Sequence, residues 1–229
     1  MIWILNLLFR IGTASPGMQK PRNRDEMRTA LMNGATVGTL TNHGAMPSVD
    51  ASAVVTFGPN CSRPLPRSQV LSLLRSDCRA SRRKIDLLVL HCSATWPSVD
   101  YTIEKLTKDH RRRGFGDWPG YHVFVRKDGT LYYCRPVSQM GCHVKGWNAR
   151  SIGVCYEGGL AEDTHKPLDT RTAEQMVVLH EVLTALHEAC PEARIVGHHE
   201  LNPKKACPCL GWEASHEYAY IASLPKKQT

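Results

Sequence analysis

Lys84-Ile85-Asp86-Leu87-Leu88-Val89-Leu90-His91-Cys92 is the stretch on which the reading of this 229-residue chain turns. A continuous apolar run bounded by polar residues reads as a strand buried on both faces. It also divides the chain electrostatically. The net charge is +8, but residues 1–84 hold 12 Lys+Arg against 4 Asp+Glu, whereas residues 85–229 hold 17 of each. The polyanionic partner that +8 suggests for the whole protein therefore concerns only the segment before the strand.

Downstream, the texture is that of an α/β domain. Asp100 is the expected N-cap of a short helix carrying Ile103 and Leu106 and ending in the cationic turn Arg111–Arg113 before Gly114. Tyr121–Val125 and Thr130–Cys134 flank Asp128-Gly129, a hairpin signal. Ser151–Tyr156 is a further strand. Thr172 and Gln175 resemble a capping box opening a helix through Met176, Leu179, Leu183 and Leu186, and Arg194–Gly197 is a last strand delivering His198. This order predicts a single mixed β-sheet flanked by helices.

Upstream, Met1–Ile11 is an apolar run about half the roughly 20 residues a membrane span needs. It lacks the basic start of a secretory signal. From Thr13 to Lys84 the chain is rich in Gly, Pro, Ser, Asn and Arg without a sustained period. Val70, Leu71, Leu73 and Leu74 allow a helical turn or two before the basic patch Arg79, Arg82, Arg83 and Lys84, which reads as a solvated face. The expectation is a basic, poorly ordered extension over 1–83 and a domain over 84–225. Nine cysteines without framework spacing speak against a disulfide scaffold and leave room for reduced thiols or a metal.

Candidate ligands sit where strands end. His91 closes the first strand, His198 the last, and Cys207 follows nine positions on. Strand alternation makes His91 and Cys92 point to opposite faces, makes His198 and His199 alternatives, puts His122 opposite Tyr121, and leaves Cys209 as the rival to Cys207. Glu157 and Glu200 are unassigned carboxylates, each with a solvated or structural role as the plainer reading.

The segments His91–Thr95, Gly120-Tyr121-His122, Gly141–Asn148, Ser151–Cys155 and His198–Glu200 with Lys205–Pro208, in this order, resemble the type 2 N-acetylmuramoyl-L-alanine amidases, the family of phage endolysins and peptidoglycan recognition proteins. The resemblance covers about Lys84 to Leu210. It implies a zinc hydrolase acting on the amide between N-acetylmuramic acid and L-alanine, with His91, His198 and Cys207 as Zn²⁺ ligands. Tyr121 and Lys205 match the catalytic side chains, and His143, Trp147 and Asn148 match contacts in the substrate groove. Cys209-Leu210-Gly211 departs from the family's usual small polar residue, aromatic and aspartate. That departure motivates the alternative of a peptidoglycan-binding or regulatory module without hydrolysis. The expected partner is peptidoglycan, with no nucleic acid for the catalytic domain, no transmembrane segment and a monomeric state. An endolysin of this kind is expected to wait in the cytoplasm until released to act on the cell wall.

Overall fold

The computed structural model describes residues 65–223, so the apolar run Met1–Ile11, Cys61 and the rest of the extension before residue 65 lie outside the described residues. The elements in chain order are α1 (Arg67–Ala80), β1 (Leu87–Cys92), α2 (Ile103–Arg112), β2 (Val123–Val125), β3 (Leu131–Tyr133), β4 (Ser151–Tyr156), α3 (Ala173–Ala189), β5 (Arg194–Gly197), α4 (His198–Leu201) and α5 (Ala214–Glu217). The five strands form one sheet in the order β3-β2-β4-β1-β5. Only the β2–β3 hairpin is antiparallel; β1 pairs in parallel with β4 and β5, and β4 with β2. The predicted mixed sheet flanked by helices is thus the fold.

Alternation along β1 sorts its residues between two layers. Leu88, Leu90 and Cys92 join the larger core with Ile152, Val154 and Tyr156 of β4 and the buried stripe Val178, Leu179, Val182, Leu183 and Leu186 of α3. Leu87 and Val89 face the other way, onto Val144, Val196, Trp147 and Leu201. On that second face α2 packs Ile103 and Leu106 against Phe124 and Cys155. Helix α3 forms where local chemistry predicts. Gln175 N–H donates to Thr172 Oγ1 at 3.1 Å and Thr172 N–H returns to Gln175 Oε1 at 3.0 Å, closing the capping box of α3.

Two expectations are corrected. The N-cap of α2 is Thr102, whose hydroxyl accepts from Lys105 N–H at 3.4 Å, while Asp100 pairs with the Arg126 guanidinium. The larger correction concerns the last part of the extension expected over 1–83, the part that lies among the described residues. Residues 67–80 are a 14-residue helix, not an unstructured tail. Val70, Leu74 and Cys78, spaced four apart, form one buried stripe of the main core. Arg67 and Arg75 pair with Glu181 and Glu188 of α3, and the Asp77 carboxylate accepts from Tyr133 Oη and Val137 N–H. The sequence offered only four apolar positions in a polar context. Stability here comes from tertiary burial of the stripe, not from helix propensity.

Arg83, read as part of a solvated basic patch, is also reassigned. Its guanidinium donates to the carbonyls of Val137 (2.5 Å), Gln139 (2.8 Å), Asn148 (2.6 Å), Ser151 (2.8 Å) and Ala149 (3.3 Å). It ties the segment after β3 to the one entering β4. No helix among the described residues is long and apolar enough to cross a membrane.

Candidate metal and catalytic centre

Register brings the first two candidate ligands together. Leu90 of β1 pairs with Gly197 of β5, so the next residues, His91 and His198, leave adjacent parallel strands side by side. Their ring centroids are 4.8 Å apart. The chain then turns through α4 and returns Cys207 to the same place, its Sγ 3.6 Å from His91 Nδ1 and accepting from Cys92 N–H at 3.3 Å. One ligand atom from each of His91, His198 and Cys207 lies within 4.8 Å of the others, and no other such group of His, Cys, Asp or Glu occurs among the described residues.

The donor set suits zinc. Zn–N near 2.0–2.1 Å and Zn–S near 2.3 Å, at tetrahedral angles, place nitrogen and sulfur about 3.6 Å apart, the separation found between His91 Nδ1 and Cys207 Sγ. Three protein donors leave the fourth position open, as catalytic zinc sites require. Burial, and secondarily His198 and His110, hold the His91 pKa well below the ordinary value, and burial with nearby Lys205 lowers that of His198. Both imidazoles are therefore neutral and able to ligate at pH 7.

Alternation decides among neighbours. Cys92 faces the core, where its Sγ lies 3.6 Å from that of Cys209; the rival Cys209 thus sits on the far side of β1 from the two histidines. His199 turns away from the cluster and bonds backbone. The described cysteines are free thiols.

Tyr121 packs against His91, ring centroids 5.1 Å apart. Burial pushes its hydroxyl well above the usual phenol range, with the neighbouring thiols of Cys155, Cys207 and Cys92 adding to the effect, so it is a proton donor at neutral pH. Lys205 is exposed and lines, with His199, Leu210 and Trp212, a cavity of about 260 Å³. His122, one residue from Tyr121, is fully buried, accepting from Gly153 N–H at 3.0 Å and contacting Gln139 O at 3.0 Å.

The 141–148 loop folds inward more than a groove wall requires. Asn148 Oδ1 accepts from His143 N–H (2.9 Å) and Val144 N–H (2.8 Å), so it shapes the loop. His143 sits behind His91, its Nδ1 3.0 Å from His91 Nε2. Trp147 is partly buried against Leu87, Val89 and Val144, with the Arg150 guanidinium 5.6 Å from its ring centroid. The inward direction of His143 has a sequence signal: Gly141 and Gly153 leave the space its ring fills.

Both unassigned carboxylates are structural. Glu157 is fully buried, accepting from Arg126 Nε (2.6 Å), Tyr101 N–H (2.8 Å) and Lys127 N–H (3.1 Å), which ties the end of β4 to the hairpin and to the approach to α2. Glu200 Oε1 accepts from Gly197 N–H at 2.6 Å and Ser215 N–H at 3.2 Å, a capping role at α4.

The family model for N-acetylmuramoyl-L-alanine amidase matches residues 81–209, from just before β1 through the third candidate ligand. The chain belongs to this amidase family. Over 127 residues it is 38% identical to the endolysin of Enterobacteria phage K11, a match covering 56% of this chain and 82% of that protein. The endolysin of Escherichia phage T7 gives the same identity and coverage. Among solved structures, the endolysin N-acetylmuramoyl-L-alanine amidase LysCS from Clostridium intestinale superposes with a TM-score of 0.51 at 27% identity, covering 61% of this chain and 84% of that one. The family match begins at Ser81, so α1 lies wholly before it.

Proposed function

We propose that the protein is a zinc-dependent N-acetylmuramoyl-L-alanine amidase that hydrolyses the amide between N-acetylmuramic acid and the L-alanine of the peptidoglycan stem, and that it serves as a phage or prophage endolysin. The observation that carries this reading is the convergence of His91, His198 and Cys207 to within 4.8 Å, with Tyr121 packed against the first of them. The complete ligand set favours hydrolysis over a purely binding role.

Zinc held by these three residues would supply a Lewis acid for the amide carbonyl and lower the pKa of water toward about 7. The chain's own residues do the rest. The Tyr121 hydroxyl, kept protonated by burial, donates to the oxyanion that develops on the carbonyl oxygen, and the Lys205 ammonium balances its charge from the solvent side. Trp147 offers an aromatic face at the groove. Neither carboxylate is placed to act as base, since buried Glu157 is occupied by Arg126 and backbone N–H donors and part-buried Glu200 by the backbone N–H groups of Gly197 and Ser215.

The reading extends to location: the protein would remain in the cytoplasm until membrane failure admits it to the wall, and act as a monomer. The test is incubation of the purified chain with peptidoglycan. New amino termini should appear in a chelator-sensitive way and return on adding zinc; release that survives metal removal would overturn the proposal.

A further inference from the structure

His143 is gripped on both sides by backbone. A Cβ added to Gly153 would lie 2.7 Å from His143 Cγ, and one added to Gly141 would lie 2.6 Å from Cδ2. The ring therefore has one seat, and its two nitrogens meet different partners. Nδ1 is 3.0 Å from His91 Nε2, and Nε2 is 3.4 Å from Ser151 Oγ.

The direction of each hydrogen bond follows from the far end of this chain. The Trp147 carbonyl only accepts, and Ser151 Oγ lies 2.8 Å from it, so the hydroxyl proton points there. Ser151 then offers His143 lone pairs, which places the His143 proton on Nε2. A neutral imidazole protonated on Nε2 accepts at Nδ1, so the bond from His91 is donated by its Nε2–H. The remaining nitrogen of His91, Nδ1, keeps its lone pair, and it is the atom 3.6 Å from Cys207 Sγ.

We propose that His143 is a positioning residue that, backed by Ser151 and the Trp147 carbonyl, locks His91 in the tautomer whose Nδ1 lone pair faces Cys207 and His198. The proposal rests on the zinc reading above and assigns His143 a place behind the ligand instead of a contact in the substrate groove. Partners of this kind fix ligand orientation and tautomer, and losing them typically costs metal affinity.

The test uses the full chain and two substitutions that fill the same seat. His143→Asn keeps an acceptor oxygen where Nδ1 stood; His143→Leu keeps bulk without an acceptor. In competition with a chromogenic zinc chelator, His143→Leu should bind zinc about 10–100-fold more weakly, and His143→Asn should recover most of that loss. Equal weakening in both, or none in His143→Leu, would overturn the proposal. A second measurement needs no substitution: long-range ¹H–¹⁵N NMR of the wild-type imidazoles should find the proton on Nε2 of both His91 and His143, and a proton on Nδ1 of either overturns it. If the wild type takes up no zinc, the zinc reading falls, while the metal-free spectrum still decides the tautomers.

Discussion

His199 is fastened to Cys207: its backbone N–H donates to the Cys207 carbonyl at 2.7 Å, and its ring Nδ1 lies 3.2 Å from the same oxygen. The residue next to one candidate ligand thereby holds the backbone of another, while its own ring is kept out of the cluster. With Cys209 placed against Cys92, this makes Cys207 the thiol proposed to serve. Cys207→Ser is expected to abolish stoichiometric zinc in metal analysis of the purified protein, and Cys209→Ser to retain it. Retention in the first and loss in the second would reverse the ligand assignment.

Tyr121 and Lys205 act, in the proposed mechanism, on charge that exists only in the transition state. Tyr121→Phe and Lys205→Ala should each lower kcat by about 10²–10³ with little change in KM or zinc content. A rise in KM at constant kcat would assign them to binding instead.

Arg83 joins two loops through five backbone carbonyls and a 3.3 Å contact with His122 Nε2, with no carboxylate among its hydrogen-bond partners. Removing it leaves part-buried acceptors unpaired, so Arg83→Ala should destabilise the fold by about 2–4 kcal/mol in urea unfolding. Arg82→Ala, at an exposed position, should stay within about 0.5 kcal/mol of wild type.

Burial lowers the pKa of His110 to about 4 and that of His122 to about 3. Both are neutral when folded, yet near pH 6.5 and below they take up protons when unfolded. The unfolded state then binds more protons, so stability is full above about pH 6.5 and falls as pH drops toward the folded values, by about 1.4 kcal/mol per pH unit for each histidine. Urea midpoints of zinc-free protein between pH 7 and 4.5 should fall at least this steeply, because burial shifts His91 and His143 in the same direction, and His122→Gln should remove one histidine's share of the slope. A midpoint independent of pH over that range would contradict the assignment.

Leu74 is fully buried between α1 and the sheet. Leu74→Ala should cost about 2–5 kcal/mol, measured by the same unfolding experiment. A protein starting at Lys84 should be destabilised by more, because it loses the whole stripe.

The sheet was legible because its signals are local. The run 87–92, the Asp128-Gly129 turn, the strand Ser151–Tyr156 and the Thr172 capping box each announce themselves within a few residues. The cluster of His91, His198 and Cys207 was legible from strand ends and from the resemblance together, and alternation separated His91 from Cys92 and His198 from His199. What escaped has long-range causes. The stripe of α1 gains its meaning from α3, more than 100 residues away, and the acceptors of Arg83 lie 54 to 68 residues downstream. The burial of Glu157 follows from partners on the hairpin and before α2, which no spacing within its own strand reveals.

Two of the three proposed donors sit immediately beyond paired backbone positions of β1 and β5, whereas the third stands on a turn outside the sheet. Metal selectivity is accordingly adjustable at a single place. Exchanging the soft thiolate at 207 for a carboxylate would shift preference toward harder cations without disturbing the strand pairing that sets the histidines. On the zinc reading, the scaffold could thus change the identity of the ion it holds while keeping its architecture.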